Sequence, residues 1–396
     1  MSKEMVLEKQ KQAIEILKEK DVDMWLTFVR ETGNMKDPMM DMLTGTGATW
    51  SSAFILTKSG DRIAIIGSLE EANMKSVGTF EIIKGYLKSV KEDLLETIKG
   101  YDPKKIAINY STNSTIADGL THGMYLELLN HLEGTDYVNR LISSEEIVAA
   151  LRGRKAPSEI ALMKVAIKET LSIFDEVTKY LKPGLTEKDV ADFVINLVEE
   201  RGLDFSWDRE HCPAVFTGPD SAGAHSGPTN RTIERGHVIN MDFGVKYEGY
   251  CADLQRTWYV LKEGEETAPD EVERGFRVIN ESISKAVAQL KPGMQGCEID
   301  DLARNHITEN GYAEYPHALG HQIGKAAHDG SGLLCPRWER YGNLPYLKTE
   351  EAQVYTVEPR LTIEGYGIAT VEEEVVITKD GCEFISPRQE EIYLIK

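Results

Sequence analysis

The sequence predicts an α/β domain followed by an α+β domain that contains an internal duplication. Two observations predict this fold class. Strand and helix patterns alternate through the first 150 residues, which is typical of an α/β layer domain. Farther on, the tetrapeptide Leu-Lys-Pro-Gly occurs at 181–184 and again at 290–293, each time between two long helical patterns. We therefore expect an N-terminal domain over residues 1–153 and a second domain over residues 154–396.

Apolar runs and helical periodicity define the elements of the N-terminal domain. Four runs are strand patterns, the middle two of which flank a Lys-Ser-Gly-Asp turn: Met24–Val29, Ser52–Thr57, Arg62–Ile66 and Lys105–Asn109. Four segments have helical periodicity: Met1–Lys20, Leu69–Val77, Lys88–Lys99 and Leu120–Leu132. The first of these helices alternates lysine and glutamate, so we expect it to be amphipathic and exposed, and it lacks the apolar core of a signal peptide.

The duplicated unit consists of a helix, a turn and a second helix. A basic segment with a proline, Leu151–Pro157, links the two domains, and a helical pattern then continues to Leu181. The helical pattern that follows each tetrapeptide ends at a glycine, Gly202 in the first copy and Gly311 in the second. This matched spacing favours duplication over chance. We expect a site where the two halves of the duplicated unit meet.

Composition and charge exclude several classes of protein. The 396 residues are 41% hydrophobic and 28% charged, which is ordinary for a globular chain and excludes a disordered or fibrous one. A formal net charge of −20 repels phosphate backbones, so we expect no nucleic-acid partner. No apolar run is long enough for a membrane span, so we expect no membrane partner. The five cysteines include no Cys-x-x-Cys pair, which indicates a cytoplasmic protein whose metal ligands, if any, are carboxylates and histidines.

Two acidic residues mark a hairpin in the second domain. His237–Phe243 and Tyr250–Val260 are strand patterns with a turn between them. If the turn centres on the peptide bond of Tyr247–Glu248, Asp242 and Asp253 lie directly opposite each other, with Cβ atoms about 5 Å apart. Two carboxylates that close repel each other unless a proton or a cation lies between them.

A second acidic hairpin follows, with strand patterns on both sides of Gly365. Centring it on Gly365 places Glu358 opposite Glu372, whereas Glu373 points to the other face and Glu374 requires a register slip. A single acidic residue on a strand usually lies on the face of the sheet that is exposed to solvent. Carboxylates embedded in apolar strands, however, need a counter-charge. The two hairpins together therefore predict four carboxylates at one site.

Histidines lie near both hairpins. His317, His321 and His328 fall in one short segment, and His225 stands in a loop rich in glycine, proline and serine. A lone histidine is more often structural, but beside four carboxylates it becomes a candidate metal ligand or acid/base group. Four carboxylates and one histidine carry too much negative charge for one divalent ion and suit two ions that share a water, an arrangement typical of hydrolases. Oxygen-rich coordination favours Mn²⁺ and admits Fe²⁺, Co²⁺ or Zn²⁺.

These residues resemble the pita-bread metallopeptidases, which include methionine aminopeptidase, prolidase and aminopeptidase P. The resemblance extends from Pro157 to the C-terminus and rests on the motifs MDFG, CADLQRTW, LGHQIG, TVEPR and TVEEEVVIT. It implies a pita-bread catalytic domain with an internal pseudo-two-fold axis. It also implies five metal ligands in the order Asp242, Asp253, His321, Glu358 and Glu372.

The resemblance also implies a role for each site residue. Asp253 and Glu372 would bridge both ions. Asp242 would complete the coordination of the first ion, and His321 and Glu358 that of the second. Glu358 would in addition accept the proton of the attacking water. The histidines expected to bind substrate and stabilise the tetrahedral intermediate are His225, His317 and His328.

The N-terminal domain resembles that of the prolidase and aminopeptidase P branch, which cleaves before proline and is usually dimeric. This implies a homodimer acting on short peptides, as an Xaa-Pro dipeptidase or an Xaa-Pro aminopeptidase. One departure concerns the substrate, because the family commonly has an arginine two residues before the last ligand and this chain has Thr370. The alternatives are a metal-dependent lyase or a creatinase-like hydrolase of a non-peptide C–N bond, although creatinase itself lacks these ligands. A non-catalytic binding module is disfavoured because all five ligand positions are filled.

Overall fold

The computed structural model describes residues 1–221 and 226–396. The chain divides into two compact units, Met1–Arg152 and Gly153–Lys396. All five cysteines are free thiols, and four of them are buried. Within the described residues, no helix is both long and apolar enough to cross a membrane.

The first unit is a six-stranded mixed sheet flanked by helices. Its strands are β1 Met24–Val29, β2 Ser52–Thr57, β3 Arg62–Gly67, β4 Ile82–Tyr86, β5 Ile106–Ile108 and β6 Leu141–Ser143. Their spatial order is β4-β3-β2-β1-β5-β6, and the pairs β1/β2 and β2/β3 are antiparallel while the others are parallel. The helices are α1 Lys3–Glu19, α2 Met40–Leu43, α3 Glu71–Val77, α4 Lys91–Tyr101, α5 His122–Leu132 and α6 Glu145–Gly153.

Side-chain alternation along β1 produces a core on each face of this sheet. Leu26 belongs to the core cluster that includes residues of α4 and α5, whereas its neighbour Trp25 belongs to the cluster that includes residues of α1 and α6. The prediction that α1 is exposed is therefore wrong. Its polar residues Lys9 and Gln10 are buried and donate hydrogen bonds to main-chain carbonyl oxygens, so its charged pattern conceals a packed face.

The second unit combines two pairs of long helices with several small sheets. Its helices are α7 Pro157–Tyr180, α8 Glu187–Glu200, α9 Asp270–Gln289 and α10 Gly296–Glu309. Its strands are β7 Asp204–Phe205, β8 Ala214–Thr217, β9 Val238–Phe243, β10 Val245–Tyr247, β11 Tyr250–Cys251, β12 Leu254–Val260, β13 Gly320–His321, β14 Leu333–Leu334, β15 Val354–Val357, β16 Arg360–Ile363, β17 Gly367–Thr370, β18 Glu373–Ile377, β19 Cys382–Phe384 and β20 Tyr393–Ile395. The largest sheet has the order β20-β12-β9-β8.

The two helix pairs are built alike, as the repeated tetrapeptide predicts. α7 and α9 end directly before it, and its glycines, Gly184 and Gly293, adopt left-handed φ angles of 92° and 90° that favour glycine. α8 and α10 then begin with the same cap. In each, the carboxylate at the third helical position, Asp189 or Glu298, accepts the main-chain N–H of the capping residue.

The first acidic hairpin forms, but its register differs from the prediction. Asp242 pairs with Gln255, so the turn centres between Glu248 and Gly249, one residue later than expected. Asp253 lies in the break between β11 and β12 and is diagonal to Asp242 rather than opposite it. The cause is the turn itself, because Glu248 adopts a left-handed φ of 46° that a glutamate seldom takes.

The second acidic hairpin has the predicted register. β15 pairs with β18, and β16 pairs with β17, where Arg360 faces Thr370. The ladder is interrupted between these two strand pairs. Across the interruption the same register places Glu358 level with Glu372, as expected from a turn centred on Gly365.

Candidate metal centre

The four predicted carboxylates come together where the two hairpins meet. Asp242 lies on β9, Asp253 directly before β12, Glu358 directly after β15, and Glu372 directly before β18. Asp242 and Asp253 lie close enough for the charge of Asp242 to raise the pKa of Asp253. Ligand atoms of Asp253, Glu372 and His321 all lie within 4.8 Å of one another, which is compact enough for a single ion to contact all three.

His321, at the end of β13, faces carboxylates of both hairpins. Its Nε2 lies 3.3 Å from Glu358 Oε1 and 3.7 Å from Asp253 Oδ2. Its Nδ1–H donates to the main-chain oxygen of Gln322 at 3.3 Å, which fixes the tautomer and leaves the Nε2 lone pair directed at the carboxylates. Burial lowers the pKa of His321 to about 3, so the imidazole is neutral and available as a ligand.

Burial raises the pKa of every carboxylate in this cluster. The pKa of Asp242 rises to about 7 because the group is removed from water. For Asp253, Glu358 and Glu372 burial is again the largest cause, and the neighbouring carboxylates raise the pKa values further, to well above the usual range. Four negative charges this close require protons or cations between them.

Unpartnered oxygen atoms show where a cation fits. Among the described residues, both carboxylate oxygens of Glu372 and Oδ1 of Asp242 are buried without a hydrogen-bond partner. Buried polar atoms are rarely left in this state. Carboxylate oxygens beside a neutral imidazole nitrogen are the donor set of a divalent transition-metal ion. The residues therefore fit a metal.

Gln255, which the sequence analysis does not identify, joins the two hairpins. It pairs with Asp242 on the neighbouring strand, and its Nε2 donates to Glu358 Oε2 at 3.2 Å. Its main-chain oxygen accepts the N–H of Glu372 at 3.2 Å. The sequence contains one indication of this role, because Gln255 follows Asp253 by two residues and so lies on the same face of the chain.

The two acids after Glu372 are bound differently. Glu373 forms a buried ion pair with Arg256 at 3.2 Å. Glu374 accepts the main-chain N–H of Asp253 at 2.9 Å, and burial raises its pKa to about 8. Glu374 thus touches the cluster through the backbone of a candidate ligand, without the register slip that direct participation would require.

Of the other predicted histidines, His328 packs against His321. The His328 ring is nearly perpendicular to the His321 ring, with centroids 4.3 Å apart. The His317 ring lies 5.2 Å from the ring of Tyr315. His225 falls outside the described residues, so its predicted role stays a prediction.

A buried ion pair on α10 holds the segment that carries His317. Arg304 and Asp300 pair through two contacts of 2.6 and 2.8 Å. Arg304 donates to the main-chain oxygens of Tyr315 and His317 at 2.6 and 2.7 Å, and Asp300 accepts the N–H of Leu319 at 3.1 Å. The two side chains thereby bind main-chain groups of every second residue in this segment, as a neighbouring strand would.

The chain is similar to known peptidases in sequence and structure. The sequence model of metallopeptidase family M24 matches residues 161–379. The uncharacterized peptidase YqhT of Bacillus subtilis is 30% identical over 354 residues, which span 88% of this chain and 92% of that protein. An Xaa-Pro dipeptidase from Bacillus anthracis has a TM-score of 0.74 at 25% identity, with 98% of this chain and 100% of that chain covered. An X-Pro aminopeptidase from Thermotoga maritima has a TM-score of 0.71 at 26% identity, with 98% and 99% covered.

These similarities confirm the predicted pita-bread fold and peptidase class, and they extend along nearly the whole chain. They also imply a divalent metal, for which the cluster of carboxylates and His321 is a possible site. The chain belongs to metallopeptidase family M24.

Proposed function

We propose that this protein uses two divalent ions to hydrolyse short peptides at Xaa-Pro bonds. The observation that carries the proposal is the convergence of four carboxylates, two buried and two half-buried, on one neutral imidazole, with three carboxylate oxygens that have no partner among the described residues. Similar structures identified as an Xaa-Pro dipeptidase and an X-Pro aminopeptidase support the substrate class.

The ligands in this proposal are the five residues of the cluster. Asp253 and Glu372 would be shared by both ions, as the resemblance to the family implies. Asp242 would bind the first ion, and His321 and Glu358 the second. Oxygen donors outnumber nitrogen donors, which favours Mn²⁺ over softer ions.

The reaction depends on residues that hold protons and orient the substrate. When bound, the ions lower the pKa of water and polarise the scissile carbonyl. Glu358 would take up the proton of the attacking water and pass it to the leaving amine. Gln255 at 3.2 Å and Thr356 at 3.4 Å donate hydrogen bonds to its carboxylate and keep it in place. His328, packed on His321, would contact the substrate.

An Xaa-Pro bond suits this chemistry because it is a tertiary amide without an N–H. A peptidase that positions its substrate through that N–H cannot use such a bond, whereas activation at the carbonyl oxygen does not need it. The proposal also places the protein in a reducing cytoplasm, where its buried thiols stay free, and treats it as a homodimer.

Metal reconstitution followed by a substrate panel tests the function. The stripped protein would be reloaded with Mn²⁺, Co²⁺, Zn²⁺ or Fe²⁺ and assayed on Xaa-Pro dipeptides, their Xaa-Ala counterparts, longer Xaa-Pro peptides and N-terminal Met peptides. We expect cleavage only with metal and faster cleavage of proline than of alanine peptides. Equal rates for alanine would remove the Xaa-Pro assignment. Turnover of a small non-peptide alone would favour the lyase or C–N hydrolase alternative.

A further inference from the structure

An arginine that has no hydrogen-bond or ion-pair partner among the described residues stands beside the candidate metal centre. Arg360 on β16 forms the cross-strand pair with Thr370 on β17, next to the pair formed by Glu358 and Glu372. The side chain is half-buried, and its guanidinium has no hydrogen-bond or ion-pair partner among the residues that the structure describes. A guanidinium is always charged, and a charge removed from water is costly unless it is paired. A partner from outside the chain would remove this cost.

Strand alternation shows on which face Arg360 lies. Leu361 and Ile363 are buried in the core cluster that includes residues of α9, and β16 packs on that helix. Arg360 and Thr362 therefore lie on the opposite face. Glu358, two residues before Arg360, has the same parity. The arginine is thus on the face of the candidate metal centre and not on that of the core.

The same cross-strand pair explains the missing family arginine. That arginine would occupy position 370, where this chain has a buried threonine whose hydroxyl has no partner among the described residues. Arg360 is the direct cross-strand neighbour of this position. The pair of positions 360 and 370 therefore still carries one guanidinium, but here it comes from β16 and not from β17.

We propose that Arg360 binds the C-terminal carboxylate of the substrate and makes peptides with a free C-terminus next to the scissile bond the preferred substrates. This inference rests on the proposed peptidase function. Glu358 and Arg360 are two residues apart along the chain, which corresponds to about 7 Å in a strand. A substrate carboxylate that lies one residue, about 3.8 Å, beyond the scissile bond and forms a hydrogen bond to the guanidinium would span a similar distance. A planar guanidinium also matches a carboxylate through two parallel hydrogen bonds. The protein would then act as a dipeptidase and not as an aminopeptidase on long chains.

Paired substrates with a free or an amidated C-terminus test this role. We expect Arg360→Met to raise KM for an Xaa-Pro dipeptide by about 10- to 100-fold, the effect of losing a charge-assisted hydrogen bond. KM for the matching Xaa-Pro amide should change by less than about twofold, because the amide has no charge to lose. The control is Arg277→Met, an exposed arginine on α9, which should leave both substrates unaffected. Equal losses on acid and amide, or no loss on either, would overturn the proposal.

A second variant tests the cross-strand placement. In the double substitution Arg360→Thr with Thr370→Arg, the guanidinium moves to the family's usual strand, and we expect the preference for the acid over the amide to return. A folded, metal-loaded double variant without that preference would contradict the placement. These outcomes are separate from failure of the proposed function, which would appear in the wild-type protein as loss of the proline-over-alanine preference or of metal dependence.

Discussion

The two hairpins of the second unit each supply two carboxylates, but by different geometry. In the first hairpin, Asp242 lies inside the ladder between β9 and β12, whereas Asp253 lies in the break before β12 and is diagonal to it. In the second hairpin, Glu358 and Glu372 both lie in a break between two ladders and are level with each other. Three of the four candidate carboxylate ligands thus occupy interruptions of a strand ladder.

Main-chain groups in the breaks form hydrogen bonds that join the parts of the site. In the breaks, the N–H of Glu372 donates to Gln255 of the first hairpin, and the N–H of Glu358 donates to Leu319 in the segment that carries the histidines. The second hairpin therefore contacts both of the other parts of the site through main-chain groups in its break. The first hairpin reaches the histidine segment as well, because the N–H of Cys251 donates to the main-chain oxygen of Gly324 at 2.7 Å.

Removing a break residue should have the largest effect. We expect Glu372→Gln to lower kcat by on the order of 1,000-fold or more and to reduce metal content, because both oxygens of Glu372 lack a protein partner among the described residues. The control is Glu383→Gln, an exposed glutamate on β19, which should leave both quantities unchanged. Metal analysis and steady-state kinetics would check this. Full metal content in Glu372→Gln would remove this residue from the ligand set.

The two neighbouring histidines should separate metal binding from turnover. His321→Ala should lose one ion and nearly all activity, because its Nε2 faces Glu358 and Asp253. His328→Ala should keep its metal and lose turnover, because its ring packs edge-on against the His321 ring and the family resemblance assigns it to substrate binding and not to the ligand set. The measurement is metal stoichiometry beside kcat for both variants. Equal metal loss would show that the two histidines are assigned wrongly.

The link between the hairpins should contribute less than the ligands. Gln255→Leu removes the hydrogen bond to Glu358 but keeps the main-chain bond to Glu372. We expect a decrease of about 10- to 100-fold in metal affinity or kcat, the usual effect of losing a group that orients a ligand. Titration of the stripped protein with Mn²⁺ would measure it. An unchanged affinity and kcat would show that the hairpins hold their positions without this side chain.

The smallest expected effect concerns pH and stability. Because the pKa values of Asp242 and Glu374 are raised to about 7 and about 8, their protonated forms stabilise the folded state at acidic pH. That contribution is present below the unfolded values of 3.8 and 4.5 and is lost as the pH rises through the folded values. Metal ions favour the ionised carboxylates, so Mn²⁺ should raise Tm more at pH 8 than at pH 5.5. Thermal unfolding with and without Mn²⁺ would show this, and an equal shift at both pH values would contradict it.

The sequence is sufficient for most of the fold because its strands are apolar and its turns contain glycine. Met24–Val29 and Ser52–Thr57 are strands with the predicted bounds, and a turn centred on Gly365 gives the correct register of the second hairpin. The register of the first hairpin is missed because Glu248 takes a left-handed conformation for which glutamate gives no signal.

Within the site, the candidate ligands could be predicted from the sequence because they are charged, whereas the neutral residue that orients them, Gln255, could not. Acids inside apolar strands are unusual enough to be noticed, and the structure brings all four of them together with His321. Gln255 is neutral, and its contacts depend on how two hairpins meet, which strand periodicity within one hairpin does not contain. Arg360 was overlooked because its importance follows from its pairing with Thr370.

The number of ions bound per chain tests the central claim most directly. The stripped protein would be titrated with Mn²⁺, and bound metal and peptidase activity would be measured on the same samples. We expect two ions per chain, with activity rising to its maximum as the second ion binds. Full activity with no metal, or a maximum reached at one ion per chain, would contradict it.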